Sequence, residues 1–228
     1  TARTLNRPVS DHCEDASLAG SGIMHEGPRA ARFRLPGIPA ASEELMVARD
    51  AILAEATGAP VHIAHLSTAG SVRIVREAKR RGVAITAEAT PHHLTLTDAE
   101  LESRDPRFKM NPPLRGEEDV AALVEGAADG TIDVFATDHA PHAAAEKAAG
   151  ILAAPFGIVG LETAVPLLLD RLVHGGRIDW SRFVALWSTR PAEIFGLKTK
   201  GRLSPGADAD MTFLGPDRPV VVDSGAFR

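Results

Sequence analysis

Residues 131–142 read TIDVFATDHAPH. Ile132 to Ala136 is a short, mostly apolar run of the kind that forms a buried strand. It opens directly into Thr137, Asp138, His139, Ala140, Pro141 and His142. A carboxylate and two imidazoles therefore crowd together where an apolar strand ends in a Pro-containing loop. In parallel α/β proteins the carboxyl end of a strand is where chemistry is usually done. The plainer alternative is a polar strand end followed by a solvated loop, so the stretch has to be weighed with its neighbours.

Outward from it, strand and helix patterns alternate. A helix starting at Glu117 would bury Val120, Leu123, Val124 and Ala127 before the Asp129–Gly130 break. Val83 to Ala87 reads as a strand opening into EATPHHLTLTD, and Ala59 to Ala64 as a strand ending at His65. Between those two, Thr68 or Ser67 caps a helix with Val72, Val75 and Ala78 inward, closed by Lys79, Arg80, Arg81 and Gly82. An earlier helix is capped by Ser42, presents Leu45, Ala48, Ile52 and Ala56 on one face, and stops at Gly58. Residues 5–12 (LNRPVSDH) fit a short strand ending in Asp11 and His12. The Gly- and Pro-rich residues 13–42 have loop composition, and so long a loop in a compact domain is more often functional than idle. After His142 come a loop to Gly157 and an apolar helical stretch over 158–174 with Pro166 at its start or kink. A helix follows from Asp179 or Ser181, then a short one with Pro191 in its first turn. The fourfold strand–helix alternation points to βα units and a parallel sheet, and the lack of a GxGxxG or Walker-type loop leaves a nucleotide-binding sheet little support. From Gly201 the character changes: GRLSPGADADMTFL and PVVVDS read as short strands with turns, the start of a β-rich module.

Composition sets the outer bounds. With 228 residues, 44% of them hydrophobic and 24% charged, the chain can bury a core as one large or two small domains. A net charge of −5 gives no reason to expect nucleic acid or an anionic membrane as partner. No apolar run approaches the roughly 20 residues needed to span a bilayer. Cys13 is the only cysteine, which rules out an internal disulfide and a Cys-built metal site and fits a reducing, cytoplasmic setting.

Three groups share one position, the carboxyl end of an expected strand: His12, His65 and Asp138. Imidazole nitrogen and carboxylate oxygen are ligands that zinc and similar ions accept, and ligands on successive strands converge if the strands line a barrel. Each alone reads as easily as a structural residue. His62 falls on the opposite face of its strand and reads as structural. His92 and His93 could reach a site or simply hold their loop. His139 could orient Asp138, and His142, beyond Pro141, is better placed for a ligand than for a metal. Asn111 offers a donor and an acceptor to a polar substrate. Glu14 and Asp15 could support the site or cap a short helix.

Taken together, NRPVSDHCEDASL (6–18), HIAHLSTAGS (62–71), TAEATPHHLTLTD (86–98), FKMNPPLR (108–115), DGTIDVFATDHAPH (129–142) and PFGIVGLET (155–163) resemble bacterial class I dihydroorotases of the amidohydrolase superfamily. The resemblance covers nearly the whole chain. Allantoinases and dihydropyrimidinases are similar but match these stretches less well. It implies a (β/α)8 TIM-type barrel with two zinc ions at its carboxyl end and, in GRLSPGADADMTFL (201–214), the strand pair that re-enters a small β-domain. It implies His12 and His65 as ligands of one zinc, and Asp138 as a ligand of the other and the catalytic acid/base. Asn111, His142, Phe156 and Gly157 are the implied substrate-binding positions. The implied reaction is the reversible cyclisation of N-carbamoyl-L-aspartate to L-dihydroorotate, with a homodimer or a complex with aspartate transcarbamoylase as possible assemblies.

The departures shape a further expectation. The family's His-x-His-x-Arg motif, its bridging carboxylate or carboxylated lysine, and an upstream substrate-binding Asn are absent, and the chain opens without an initiator Met. The expectation is a C-terminal half-barrel, strands five to eight over 1–197, with part of a small β-sandwich over 198–228, and no activity from this piece alone.

Overall fold

The computed structural model describes residues 1–227. Its strands are β1 (Val9–Asp11), β2 (Met24–His25), β3 (Gly37–Ile38), β4 (Val61–Ile63), β5 (Ile85–Ala89) and β6 (Val134–Phe135). Four of them form a parallel sheet in the order β1-β4-β5-β6, and β2 and β3 form a separate parallel pair. Val9 lies beside Val61, Val61 beside Ile85, and Glu88 beside Val134. Neighbours in the sheet follow chain order, with the β2–β3 pair inserted between β1 and β4, and each pair is joined through a helix, as parallel pairing requires.

The connecting helices are Ala40–Thr57, Ala69–Arg80 and Glu117–Asp129. Thr68 starts the second by accepting the Ser71 N–H at 3.1 Å, and Lys79 and Arg80 sit at its negative end. Its Val72, Val75 and Ala78 are fully buried, as their spacing predicts. The third begins with three acidic residues and packs closely through Gly126, where a Cβ would lie 3.2 Å from Val72 Cγ1. The main core joins these helices to the sheet through Val47, Ile63, Leu66, Leu123, Ile132 and Phe135, and the Phe183 and Leu186 side chains complete it.

Several expected elements differ. The Ala40–Thr57 helix begins three residues earlier than a Ser42 cap implies, and its inward face is Val47, Ala51 and Ala54; Leu45 and Ile52 are 55% and 63% exposed. Buried Glu43, bonded to Ser67 and Thr68, and Asp50, facing the buried Cys13 thiol, turn the helix away from its apolar stripe. Residues 13–42 are an organised insertion with helices Ala16–Ala19 and Pro28–Phe33, the β2–β3 pair and part of a second core of Ile23, Met24, Ala30, Leu101 and Ile151. The strand expected over 132–136 shortens to β6, and Val120 and Val124 are only partly buried. The apolar 158–174 stretch is helical over Ala164–Leu168 and continues as a wider π-type turn to His174. Residues 201–223 carry no strand among the described residues, and Leu203, Phe213 and Val221 there are 81%, 88% and 90% exposed. A short apolar run cannot hold a strand without an edge to pair with.

Candidate active site

The carboxyl ends of the sheet bring the three expected groups into one place. His12 follows β1 directly, His65 follows β4, and Asp138 follows β6. His12 Nδ1 lies 3.0 Å from His65 Nε2, with ring centroids 4.7 Å apart. Backbone conformation marks the same positions. Among the described residues, five other than glycine have positive φ: Asn6, Arg34 and Arg104, which end helical turns, and His65 (+32°) and Asp138 (+44°), which do not. A residue with a β-carbon held in this region costs about 1–3 kcal/mol and persists where the surroundings over-determine it, as happens at functional sites.

The supports of these groups lie on the neighbouring strands. Glu88 of β5 accepts the His65 N–H at 3.2 Å with one oxygen and faces His62 Nε2 at 3.0 Å with the other. His62, fully buried, also meets Thr86 Oγ1 at 2.8 Å, so it is structural, as strand alternation predicts. Asn111 Nδ2 donates to Glu14 Oε2 at 2.8 Å, two residues beyond His12, while its Oδ1 is buried without a partner. His93 holds its loop through Thr90 Oγ1 (2.8 Å) and the Pro112 carbonyl (2.9 Å). Burial, and then the nearby His65, hold the His12 imidazole below its ordinary pKa, which favours the neutral, ligating form. Burial raises the Asp138 carboxyl; His65 and His12 oppose this and Glu88 adds to it.

The expected substrate residues form a loop cluster beside this centre. His142 Nε2 donates to the Phe156 carbonyl at 2.7 Å, and the Gly157 N–H donates to the Lys109 carbonyl at 3.0 Å, two residues before Asn111. The Lys109 ammonium sits 4.8 Å from the Phe156 ring centre. Gly157 has φ +143°, and a Cβ there would lie 2.6 Å from the Ala140 carbonyl oxygen and 2.9 Å from His142 Nε2. His139 turns its Nδ1 to the N–H groups of Gly160 and Leu161 (3.2 and 3.3 Å) and so anchors this loop.

The donor set fits a zinc ion. Two imidazole ligands of a tetrahedral zinc, with Zn–N lengths of about 2.0–2.1 Å, place their nitrogens about 3.3 Å apart, close to the observed 3.0 Å. His65 Nδ1 is buried with no hydrogen-bond partner, which leaves the Nε2 contact with His12 as the polar contact of that ring among the described residues. A second cluster, Asp11, Cys13 and Asp50, has ligand-type atoms within 4.8 Å of one another. It suits a metal poorly: Arg49 already donates to Asp11 (3.0 Å) and Asp50 (2.9 Å), and burial pushes the Cys13 thiol and the Asp50 carboxyl up. A cleft of about 700 Å³ lined by Leu94, Val120, Val124, Leu172 and Arg177 lies on the helical side and contains none of the groups above.

Sequence reasoning missed Glu88, Glu43 and Arg115. Glu88 had a visible signal: in ITAEA the period of two sets Thr86 and Glu88 against buried Ile85, Ala87 and Ala89. Glu43 and Arg115 had none, because charged residues in a first turn and after a Pro pair look solvent-exposed.

Comparison with known proteins gives the family. Residues 2–227 match the amidohydrolase family model. The chain is 54% identical over 226 residues to a dihydroorotase of Pelotomaculum thermopropionicum and 50% identical over 226 residues to one of Bacillus cytotoxicus, in each case covering 99% of this chain and 53% of the relative. The chain thus spans about half the length of the curated relatives it matches. Among solved structures, an L-hydantoinase from Arthrobacter aurescens superposes with a TM-score of 0.81 at 26% identity, over 92% of this chain and 48% of that one. A D-hydantoinase from Thermus sp. gives 0.77 at 33% identity, over 89% and 46%.

Proposed function

The chain belongs to the amidohydrolase family, and from that premise we propose that it is part of a dihydroorotase, interconverting N-carbamoyl-L-aspartate and L-dihydroorotate in pyrimidine biosynthesis. The observation that carries the proposal is the meeting of His12 and His65, ring nitrogens 3.0 Å apart, with Asp138 in electrostatic reach of both. His12 and His65 hold one zinc and Asp138 contributes to a second, whose remaining ligands belong to the part of the relatives that this chain does not cover. Residues 1–197 form strands five to eight of the (β/α)8 barrel, and 198–228 belong to a small β-sandwich. The exposed apolar side chains Leu203, Phe213 and Val221 support the latter, as one face of a sheet not yet covered.

When bound, zinc supplies an acidified water and polarises the ring carbonyl. In the hydrolytic direction Asp138 accepts a proton from the attacking water and returns it to the departing ring nitrogen as the C–O bond forms and the C–N bond breaks. A carboxyl raised by burial suits both halves of that transfer. The unpartnered Oδ1 of Asn111 can accept a substrate N–H. His142 and the backbone at Phe156–Gly157 line the same cluster and provide part of the recognition of the substrate carboxylate. The enzyme is cytoplasmic, as a homodimer or with aspartate transcarbamoylase.

Likeness to hydantoinase structures favours a second reading, a cyclic-amide hydrolase of that type. A substrate panel on the full-length protein separates them. Dihydroorotate should be turned over at least tenfold faster than allantoin, dihydrouracil or hydantoin, and the reverse order would reject the dihydroorotase assignment. A silent scaffold would carry no stoichiometric zinc; retention of His12, His65 and Asp138 argues against it.

A further inference from the structure

Three loops of the site converge on two buried, oppositely charged side chains, Glu43 and Arg115, which share Ser67 and which the chemistry above does not use. Glu43, in the first turn of the Ala40–Thr57 helix, is 3% exposed. Its carboxylate accepts the N–H groups of Ser67 (3.1 Å) and Thr68 (3.1 Å), the Ser67 hydroxyl, and the Thr68 hydroxyl at 3.2 Å. Arg115, 2% exposed, donates from Nε to Ser67 Oγ at 3.1 Å and from a terminal nitrogen to the Ile38 carbonyl at 2.7 Å; the same nitrogen lies 3.2 Å from His25 Nδ1. Burial pushes the Glu43 carboxyl up, but Arg115 and the Ser67 hydroxyl outweigh it and hold the group below the ordinary carboxylate range.

Each contact leads to a different part of the centre. Ser67 is two residues beyond His65, whose backbone is held at φ +32°. Arg115 is four residues beyond Asn111. The Ser42 carbonyl, next to Glu43, accepts the Asp15 N–H at 2.8 Å and so ties down the loop that carries His12 and Glu14. Buried charged groups are poor sources of net stability, because apolar replacements of similar volume are often as stable or more so. Their use lies in fixing one geometry.

We propose that Glu43 is a positioning residue for the metal centre: with Arg115 on the other side of Ser67, it pins the Ser67–Thr68 turn and thereby holds His65 with its ring nitrogen against His12. This rests on the assignment of His12 and His65 to one zinc. The test is zinc affinity of the full-length protein, measured by chelator competition for the parent, Glu43→Gln, Ser67→Ala and His65→Ala, with folding followed by circular dichroism. Gln keeps the volume but can turn an amide donor toward the N–H groups of Ser67 and Thr68. Glu43→Gln should weaken zinc binding 10- to 100-fold and Ser67→Ala at least threefold, with kcat falling in parallel and KM within about twofold. A merely structural role would lower the melting temperature and leave zinc affinity of the folded protein unchanged. Affinity within twofold of the parent in Ser67→Ala and in folded Glu43→Gln overturns the proposal, and if Glu43→Gln does not fold, Ser67→Ala decides it. If the parent binds zinc no better than His65→Ala, the metal assignment falls, and this proposal with it.

Discussion

Asp133 sits at the opposite end of β6 from Asp138, and replacing it by asparagine should cost about 2–3 kcal/mol of stability while sparing catalysis. The carboxylate is 4% exposed; Oδ2 lies 2.5 Å from Lys79 Nζ and 2.9 Å from the Ala87 N–H, and Oδ1 lies 3.1 Å from Arg190. Breaking a fully buried pair costs about 3–5 kcal/mol. The Lys79 and Arg190 side chains keep 23% and 37% exposure, so water recovers part of that loss and about 2–3 kcal/mol remains. Asparagine retains the volume and an acceptor for Ala87, so the difference reports the charge. With a urea m-value of about 1–3 kcal/mol/M, the unfolding midpoint should fall by about 1 M. A double-mutant cycle with Lys79→Met should show coupling of at least about 1 kcal/mol. A loss below about 0.5 kcal/mol, or strictly additive effects, would refute the assignment of this pair as a stabilising clamp at the amino end of the strands.

Other consequences can be checked with single variants. In the full-length protein, if the proposed dihydroorotase reading holds, Gly157→Ala should raise KM for dihydroorotate at least tenfold, because the backbone conformation is one only glycine readily adopts and the new Cβ would lie 2.6 Å from the Ala140 carbonyl oxygen; unchanged kinetics would remove this loop from the site. Burial raises the Asp129 carboxyl, but hydrogen bonds from Thr131 and Arg76 outweigh this and hold it below its ordinary pKa. Its contribution to stability is therefore present above about pH 4 and lost as pH falls through the folded value, so Asp129→Asn should flatten the acid limb of the unfolding curve; an unchanged limb counts against these bonds. Cys13, buried and with its thiol pushed up, should resist a disulfide reagent at pH 8 until the protein unfolds, and rapid native labelling would contradict its burial.

Much of the site was legible because its residues occupy positions that strand patterns mark. His12, His65 and Asp138 each follow the carboxyl end of a strand, and parallel pairing of those strands sets them at one end of the sheet, with His12 and His65 3.0 Å apart. Helix ends were equally readable where a cap has a side chain, as at Thr68 and Asp179. The face of the Ala40–Thr57 helix was not: apolar periodicity favours Leu45 and Ile52, but Glu43, bonded to Ser67 and Thr68, and Asp50, facing the Cys13 thiol, are buried and fix the rotation through partners more than ten residues away. The same holds for residues 13–42, whose short elements are organised by Leu101 and Ile151 from distant segments. Over 201–223 the strand-like sequence does not by itself supply the pairing edge a strand needs.

The account stands most directly on Asp138 as the group that moves the proton. In the full-length, zinc-loaded protein, Asp138→Asn should lower kcat for dihydroorotate by at least about 10²- to 10⁴-fold while substrate binding changes by less than about threefold. Turnover near the parent's rate in a folded, zinc-containing Asp138→Asn protein would contradict it.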